Sequence, residues 1–174
     1  IGVGDSELRF EAERALVEEE GMESTIMKEL PAGEVELTPI KDTGYNVIGY
    51  LPGKSDTTIV IGAHSDHLGW GNESSRYTGK ERMIHYGADD NGSGSAGLLE
   101  LVKYFSSRKE QLHYSILFTS FSGEEAGILG SSYYARDATV DLAKTRMMLN
   151  MDMIGRLKDQ ESGLAIFGTG TCTE

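Results

Sequence analysis

The sequence predicts an α/β fold, a β-sheet layered by helices, on three observations. Residues 57–63 (TTIVIGA) and 114–121 (YSILFTSF) are short continuous apolar runs, the signature of strands covered on both faces. Between them, Leu98, Leu101, Val102 and Phe105 recur at the spacing of one helical face. A second helical stretch and a third apolar run, 147–154 (MMLNMDMI), complete the order strand, helix, strand, helix, strand.

The elements follow in order. Ser6 is an N-cap candidate for a helix over 7–20, with Gly21 as its stop and Leu8, Ala12, Ala15 and Leu16 on one face. A short helix is expected over 23–29, ended by Pro31. Residues 34–40 alternate like an edge strand, and 46–51 (NVIGYL) form another before the turn at Pro52-Gly53. After the strand at 57–63, residues 67–92 are loop-like, rich in Gly, Asn and Ser. A helix over 93–106, the strand at 114–121, a helix over 128–136 and the strand at 147–154 follow. Residues 164–167 (LAIF) start one more strand.

The chain of 174 residues (19.0 kDa) is about one domain, and its 39% hydrophobic content suffices for a core. Its 28 Asp+Glu outnumber 16 Lys+Arg, giving a net charge of −12 and a pI near 4.7. That balance excludes the basic stripe of a nucleic-acid binder and simple adhesion to an anionic membrane. The apolar runs are too short to span a bilayer. Cys172 stands alone, so no internal disulfide forms.

Ligands of such sheets bind beyond the carboxyl ends of the strands, and the polar residues gather there. His64-Ser65-Asp66-His67 follows the first buried strand and Ser122-Gly123-Glu124-Glu125 the second. Asp152 lies near the end of the third, where a bare carboxylate among Met, Leu and Ile is costly unless paired or bound to metal. Asp89-Asp90-Asn91-Gly92 precedes the helix at 93. One His with several carboxylates and no thiolate suits zinc first, and manganese or cobalt next. Of Glu124 and Glu125, one can bind metal while its neighbour acts as general base. The GxGxxG at 92–97 follows a polar loop rather than a buried strand, so it reads as helix-start packing and not a nucleotide site. Asp89–Gly92 lacks the spacing of a calcium loop. His67, His85 and His113 read as ordinary histidines, and Asp89 as a neighbour of the site.

Residues 46–155 resemble the co-catalytic di-zinc aminopeptidases of the bacterial leucyl aminopeptidase type, a family related to glutamate carboxypeptidases and glutaminyl cyclases. The resemblance rests on IGAHSDHLG (61–69), GADDNGSGSAGLLEL (87–101), FTSFSGEEAGILGS (118–131) and NMDMIG (150–155), four motifs in order. It implies a three-layer α/β/α sandwich with a mixed, largely parallel central sheet. It also implies that His64 and Asp152 bind the first zinc and that Asp66 orients the His64 imidazole. Asp90 then bridges two zinc ions, Glu124 is the general base and Glu125 binds the second zinc. The Asp90–Asn91 peptide is expected to be cis. Two divalent ions would bring the net charge from −12 to −8.

The resemblance further implies a peptide substrate with a free N-terminus, and export to the periplasm, cell surface or medium. The expected division is a helical N-terminal segment over 1–30, compatible with the end of an upstream insert, and a zinc-peptidase domain over 31–174. That domain is expected to be incomplete at its C-terminus, because the family supplies a last zinc-ligating His beyond the NMDMIG segment. The competing expectations are a non-catalytic metal-binding or interaction module of the same fold, and a glutamate carboxypeptidase or glutaminyl cyclase relative.

Overall fold

A computed structural model describes residues 9–17, 42–71, 75–157 and 163–168 of the chain. Among these, β1 (Arg9–Val17), β2 (Asp42–Leu51), β3 (Thr58–His64), β4 (Ser115–Phe121) and β5 (Thr145–Asn150) form one sheet. Helix α1 (Gly92–Ser106) joins β3 to β4, and α2 (Leu129–Arg136) lies between β4 and β5. The strand order is β1-β2-β4-β3-β5. Strands β4, β3 and β5 are parallel, β2 runs antiparallel to β4, and β1 antiparallel to β2.

The continuous apolar runs have a direct cause. Successive residues of a strand point to opposite faces, and here both faces are covered. Ile59, Ile61 and Ala63 of β3 pack with Ile116 and Phe118 of β4 against Leu98, Leu101, Val102 and Phe105 of α1. On the other face, Val60, Leu117 and Phe121 pack with Ile48 and with Tyr134 of α2. Each fully buried side chain of this kind contributes about 1.5–3 kcal/mol. The result is a mixed sheet between two helical layers, as expected.

Three expectations are corrected. Residues 9–17 form strand β1, not part of a helix over 7–20. Their backbone pairs with β2 from Arg9↔Tyr50 to Val17↔Asp42, so this segment belongs to the sheet rather than to a separate helical segment. Phe10, Ala12 and Leu16 also alternate in sequence, and a neighbouring strand outweighs a weak helix preference. The last parallel strand ends at Asn150, so Met151 to Ile154 leave the sheet as a loop. Residues 163–168 form no strand, so the strand expected to begin at Leu164 is not found there. The elements expected over 23–29 and 34–40 lie outside the described residues, as does Cys172. Among the described residues, no helix is long and apolar enough to cross a membrane.

Candidate metal centre

The carboxyl ends of β4, β3 and β5 define one edge of the sheet, and every predicted site residue stands there. His64 is the last residue of β3 and lies opposite Phe121 of β4. It is only 2% exposed. Its Nδ1 donates to the Asp66 carbonyl oxygen at 3.1 Å, which leaves Nε2 with a lone pair. Nε2 faces Asp90 Oδ1 at 3.3 Å, Asp152 Oδ1 at 3.6 Å and Glu124 Oε2 at 3.9 Å, yet is buried and makes no hydrogen bond.

Asp66 meets both His64 and the glutamate loop. Its carboxylate stands 3.7 Å from His64 Nδ1, and its backbone carbonyl accepts a hydrogen bond from the same nitrogen. The carboxylate accepts the backbone N–H groups of Glu124 at 3.0 Å and Glu125 at 3.1 Å. The loop carrying both glutamates is therefore gripped at its centre. Its two ends are held by Asn46 of β2, which is fully buried. Asn46 Oδ1 accepts from Ser122 N at 3.1 Å, and Nδ2 donates to the Gly130 carbonyl at 2.8 Å.

The loop before α1 is tied in the same way to the loop after β5. Asn91, only 2% exposed, caps α1 by accepting from Gly94 N at 3.0 Å. It also donates to the Met151 carbonyl at 2.9 Å and accepts from Met153 N at 3.3 Å. One side chain thus holds both neighbours of Asp152. Ser93 accepts from Ile154 N, and Asp89 Oδ1 accepts from Gly155 N, both at 3.0 Å. Asp89 is thereby engaged with backbone. A Cβ on Gly94 would overlap Met151 O, and one on Gly97 would stand 2.8 Å from Ile154 Cδ1. The glycines at 92–97 thus permit close packing of loop on helix. The Asp90–Asn91 peptide bond is cis.

A second cluster adjoins the first. Asp90 Oδ1 is 3.9 Å from His67 Nδ1, and Glu125 Oε1 is 2.6 Å from the same nitrogen. His67, Asp90 and Glu125 line an open pocket of about 610 Å3, with Arg76, Tyr77 and His85 on its other walls. That volume lies within the range of small-ligand sites. His85 is turned to Ser75, with Nε2 2.7 Å from its Oγ, and Trp70 is covered by the Arg82 guanidinium. His113 stacks edge-on against Tyr114, before β4 and at the opposite end of the sheet.

The donor set fits a divalent cation. Ligands of tetrahedral zinc at about 2.0–2.2 Å stand about 3.3–3.6 Å from each other. The His64–Asp90 and His64–Asp152 separations of 3.3 and 3.6 Å match that edge. His64, Asp90 and Asp152 form one potential ligand group, and His67, Asp90 and Glu125 another. Among the described residues, Asp66, Asp90, Glu124, Glu125 and Asp152 form no ion pair with Lys or Arg. Two like charges about 4 Å apart repel by about 4 kcal/mol at an effective dielectric of 20, so bound positive charge would relieve the site. Partial burial holds the Glu124 carboxyl above its usual range, opposed by His64 and reinforced by Glu125, Asp152 and Asp66.

Comparison with known proteins gives concordant results. Residues 46–170 match peptidase family M28. Leucine aminopeptidase 1 of Trichophyton rubrum is 35% identical over 127 residues, 70% of this chain and 32% of the relative. The chain thus spans about a third of the length of the curated relatives it matches. A Zn-dependent exopeptidase from Parabacteroides distasonis superposes with a TM-score of 0.61 at 20% identity, over 86% of this chain and 49% of that one. A glutaminyl cyclase from an Acidobacteriales bacterium superposes with a TM-score of 0.56 at 26% identity, over 84% of this chain and 44% of that one. With the family match covering most of its length, and the same mixed sheet in both solved structures, the chain belongs to peptidase family M28.

Proposed function

We propose that the protein is a zinc-dependent aminopeptidase that removes N-terminal residues from peptides. One observation carries the reading: the unpartnered, buried Nε2 of His64 meets carboxylates from three other segments at one point beside an open pocket. In this reading His64, Asp90 and Asp152 hold one divalent ion, and Asp90 and Glu125 reach a second. Zinc is the expected metal, with cobalt or manganese as substitutes. An ion held there acidifies water and polarises a peptide carbonyl. Glu124 is the general base: its carboxylate takes a proton from the attacking water and hands it to the leaving amine. Asp66 positions Glu124 and Glu125 through their backbone N–H groups. The surplus of carboxylates attracts the free α-ammonium group of a peptide. Export from the cytoplasm belongs to the same proposal and is supported by the family resemblance.

Neutral aminoacyl p-nitroanilides test the reading on the full-length protein. Release of p-nitroaniline should stop with a chelator and return with zinc. Glu124→Gln should abolish release while zinc binding persists, and activity surviving that change would show the base to be another group. No release with zinc, cobalt or manganese supplied would refute the aminopeptidase reading. The 26%-identical neighbour favours a second reading, cyclisation of N-terminal glutamine. Ammonia release from a glutaminyl peptide, without release from the neutral anilides, would select it.

A further inference from the structure

We infer that Arg76 binds the C-terminal carboxylate of the substrate, so that the protein prefers di- and tripeptides to longer chains. This rests on the proposed aminopeptidase function and adds a substrate class to it.

The pocket beside the metal centre carries charges of both signs. Asp90 and Glu125 supply carboxylates where it meets the sheet edge, and Arg76 is the one Lys or Arg among its described lining residues. Among the described residues Arg76 forms no ion pair, so no carboxylate there lies within 4.0 Å of its guanidinium nitrogens. Nor does it cover an aromatic ring, as Arg82 covers Trp70 and Arg108 covers Tyr104. In a chain with 28 acidic residues against 16 basic ones, a guanidinium without a carboxylate at a cavity wall is open to one brought by a ligand.

The wall that carries Arg76 is fastened in place. The chain closes on itself where His85 N donates to the Gly69 carbonyl at 2.6 Å. Ser75 Oγ lies 2.7 Å from His85 Nε2 and accepts from Tyr77 N at 3.2 Å. The Tyr77 ring meets His85 edge-on, and its hydroxyl rests against Gly79, where a Cβ would overlap it. Both sequence neighbours of Arg76 are thereby held.

The length of this wall matches a short peptide. Ring centroids are 6.5 Å apart from His67 to His85 and 6.3 Å apart from His85 to Tyr77, the neighbour of Arg76. His67 marks the carboxylate end, with Nδ1 2.6 Å from Glu125 Oε1. An extended chain advances about 3.3–3.6 Å per residue, so two or three residues cover the wall. A peptide whose N-terminus lies at the carboxylate end then brings its C-terminal carboxylate to Arg76. Leu68, Ile84 and Met153 line the same cavity and receive apolar side chains. A longer chain places a neutral peptide group at Arg76 and forfeits the ion pair.

The test measures leucine release by the zinc-loaded, full-length protein from Leu-Gly-Gly and from its C-terminal amide. Wild type should favour the free acid by at least about 10-fold in kcat/KM, the scale of one charge-assisted hydrogen bond, and mainly through KM. The same acid-to-amide comparison in a pentapeptide should give a ratio near one. Arg76→Gln and Arg76→Met should bring the tripeptide ratio to about one, and Arg76→Lys should keep part of it. Arg82→Gln, which removes a cation outside the pocket, should keep all of it. A ratio near one in wild type, or one that survives Arg76→Gln, overturns the inference, while leucine release leaves the aminopeptidase reading standing. If Arg76→Gln instead lowers release from glutamyl p-nitroanilide and leaves the tripeptide ratio intact, the carboxylate bound is that of an acidic N-terminal side chain, and the short-peptide inference is likewise overturned. If wild type releases no amino acid from any of these substrates, the inference and the aminopeptidase reading fall together.

Discussion

Replacing Asn91 with alanine should cost stability and metal affinity together. The side chain makes three hydrogen bonds: it accepts from Gly94 N and Met153 N, and donates to the Met151 carbonyl. Loss of an Asn N-cap costs about 1 kcal/mol, within a range of about 0.5–2. The 2%-exposed Asn91 also donates to the Met151 carbonyl in a part-buried bond, and leaving that acceptor unmet costs about 1–3 kcal/mol. Together these give about 2–4 kcal/mol. Because Met151 and Met153 flank Asp152, the same change frees the loop that presents its carboxylate to His64. By analogy with supporting residues at metal sites, zinc affinity should fall about 10–100-fold. Urea unfolding of the metal-free protein measures the first effect, and chelator competition the second. Asn91→Asp keeps the cap acceptor but loses the donor to Met151, so it should recover part of the stability. A loss under about 0.5 kcal/mol, the scale of an unimportant surface change, would refute the packing argument. A full stability loss with unchanged zinc affinity would show that Asn91 does not hold Asp152 in place.

Three further outcomes follow from the same geometry. Asp66→Asn leaves one of the Glu124 and Glu125 N–H groups facing an amide N–H, so it should destabilise by about 1–3 kcal/mol and lower kcat more than zinc occupancy; unchanged kcat would remove Asp66 from a positioning role. Gly130→Ala places a methyl group onto the Ser122 carbonyl and Asn46 Oδ1, so overpacking of about 1–3 kcal/mol is expected in thermal melts, while Gly163→Ala, with open space around it, should be near neutral. The exposed Lys144–Asp56 ion pair at 2.9 Å holds the Asp56 carboxyl below its usual range and the Lys144 ammonium above its own. Its small stabilisation is therefore complete at neutral pH, lost as pH falls through the lowered Asp56 value, and lost again as pH rises through the raised Lys144 value. A double-mutant cycle of Asp56→Asn and Lys144→Met, followed by unfolding against pH, should show coupling only between those limits.

The acidity of the chain gains a location here. Five carboxylates stand at one sheet edge without Lys or Arg partners among the described residues, and three of them lie within 4 Å of one histidine nitrogen. Such a concentration is a structural cost in the absence of bound cations. It is the physical link between the composition of this chain and the chemistry proposed for it.

The sequence by itself determines β3, β4 and α1, and the segments that carry His64, Asp90, Glu124, Glu125 and Asp152. Those elements are legible because their signals are local: a run covered on both faces, one helical face, and costly polar residues at the ends of apolar runs. Only the tertiary structure decides that residues 9–17 form a strand, because their pairing partner lies more than 20 residues away in β2. It alone shows that Asp66 grips the glutamate loop and that Asn46 and Asn91 fasten loops 60 to 84 residues distant. It alone brings His67 to Glu125. An Asn or His has no periodicity to betray its partner. What such a side chain does depends on which distant backbone group or carboxylate the fold carries to it, and that is set by strand order and loop closure rather than by neighbours in sequence.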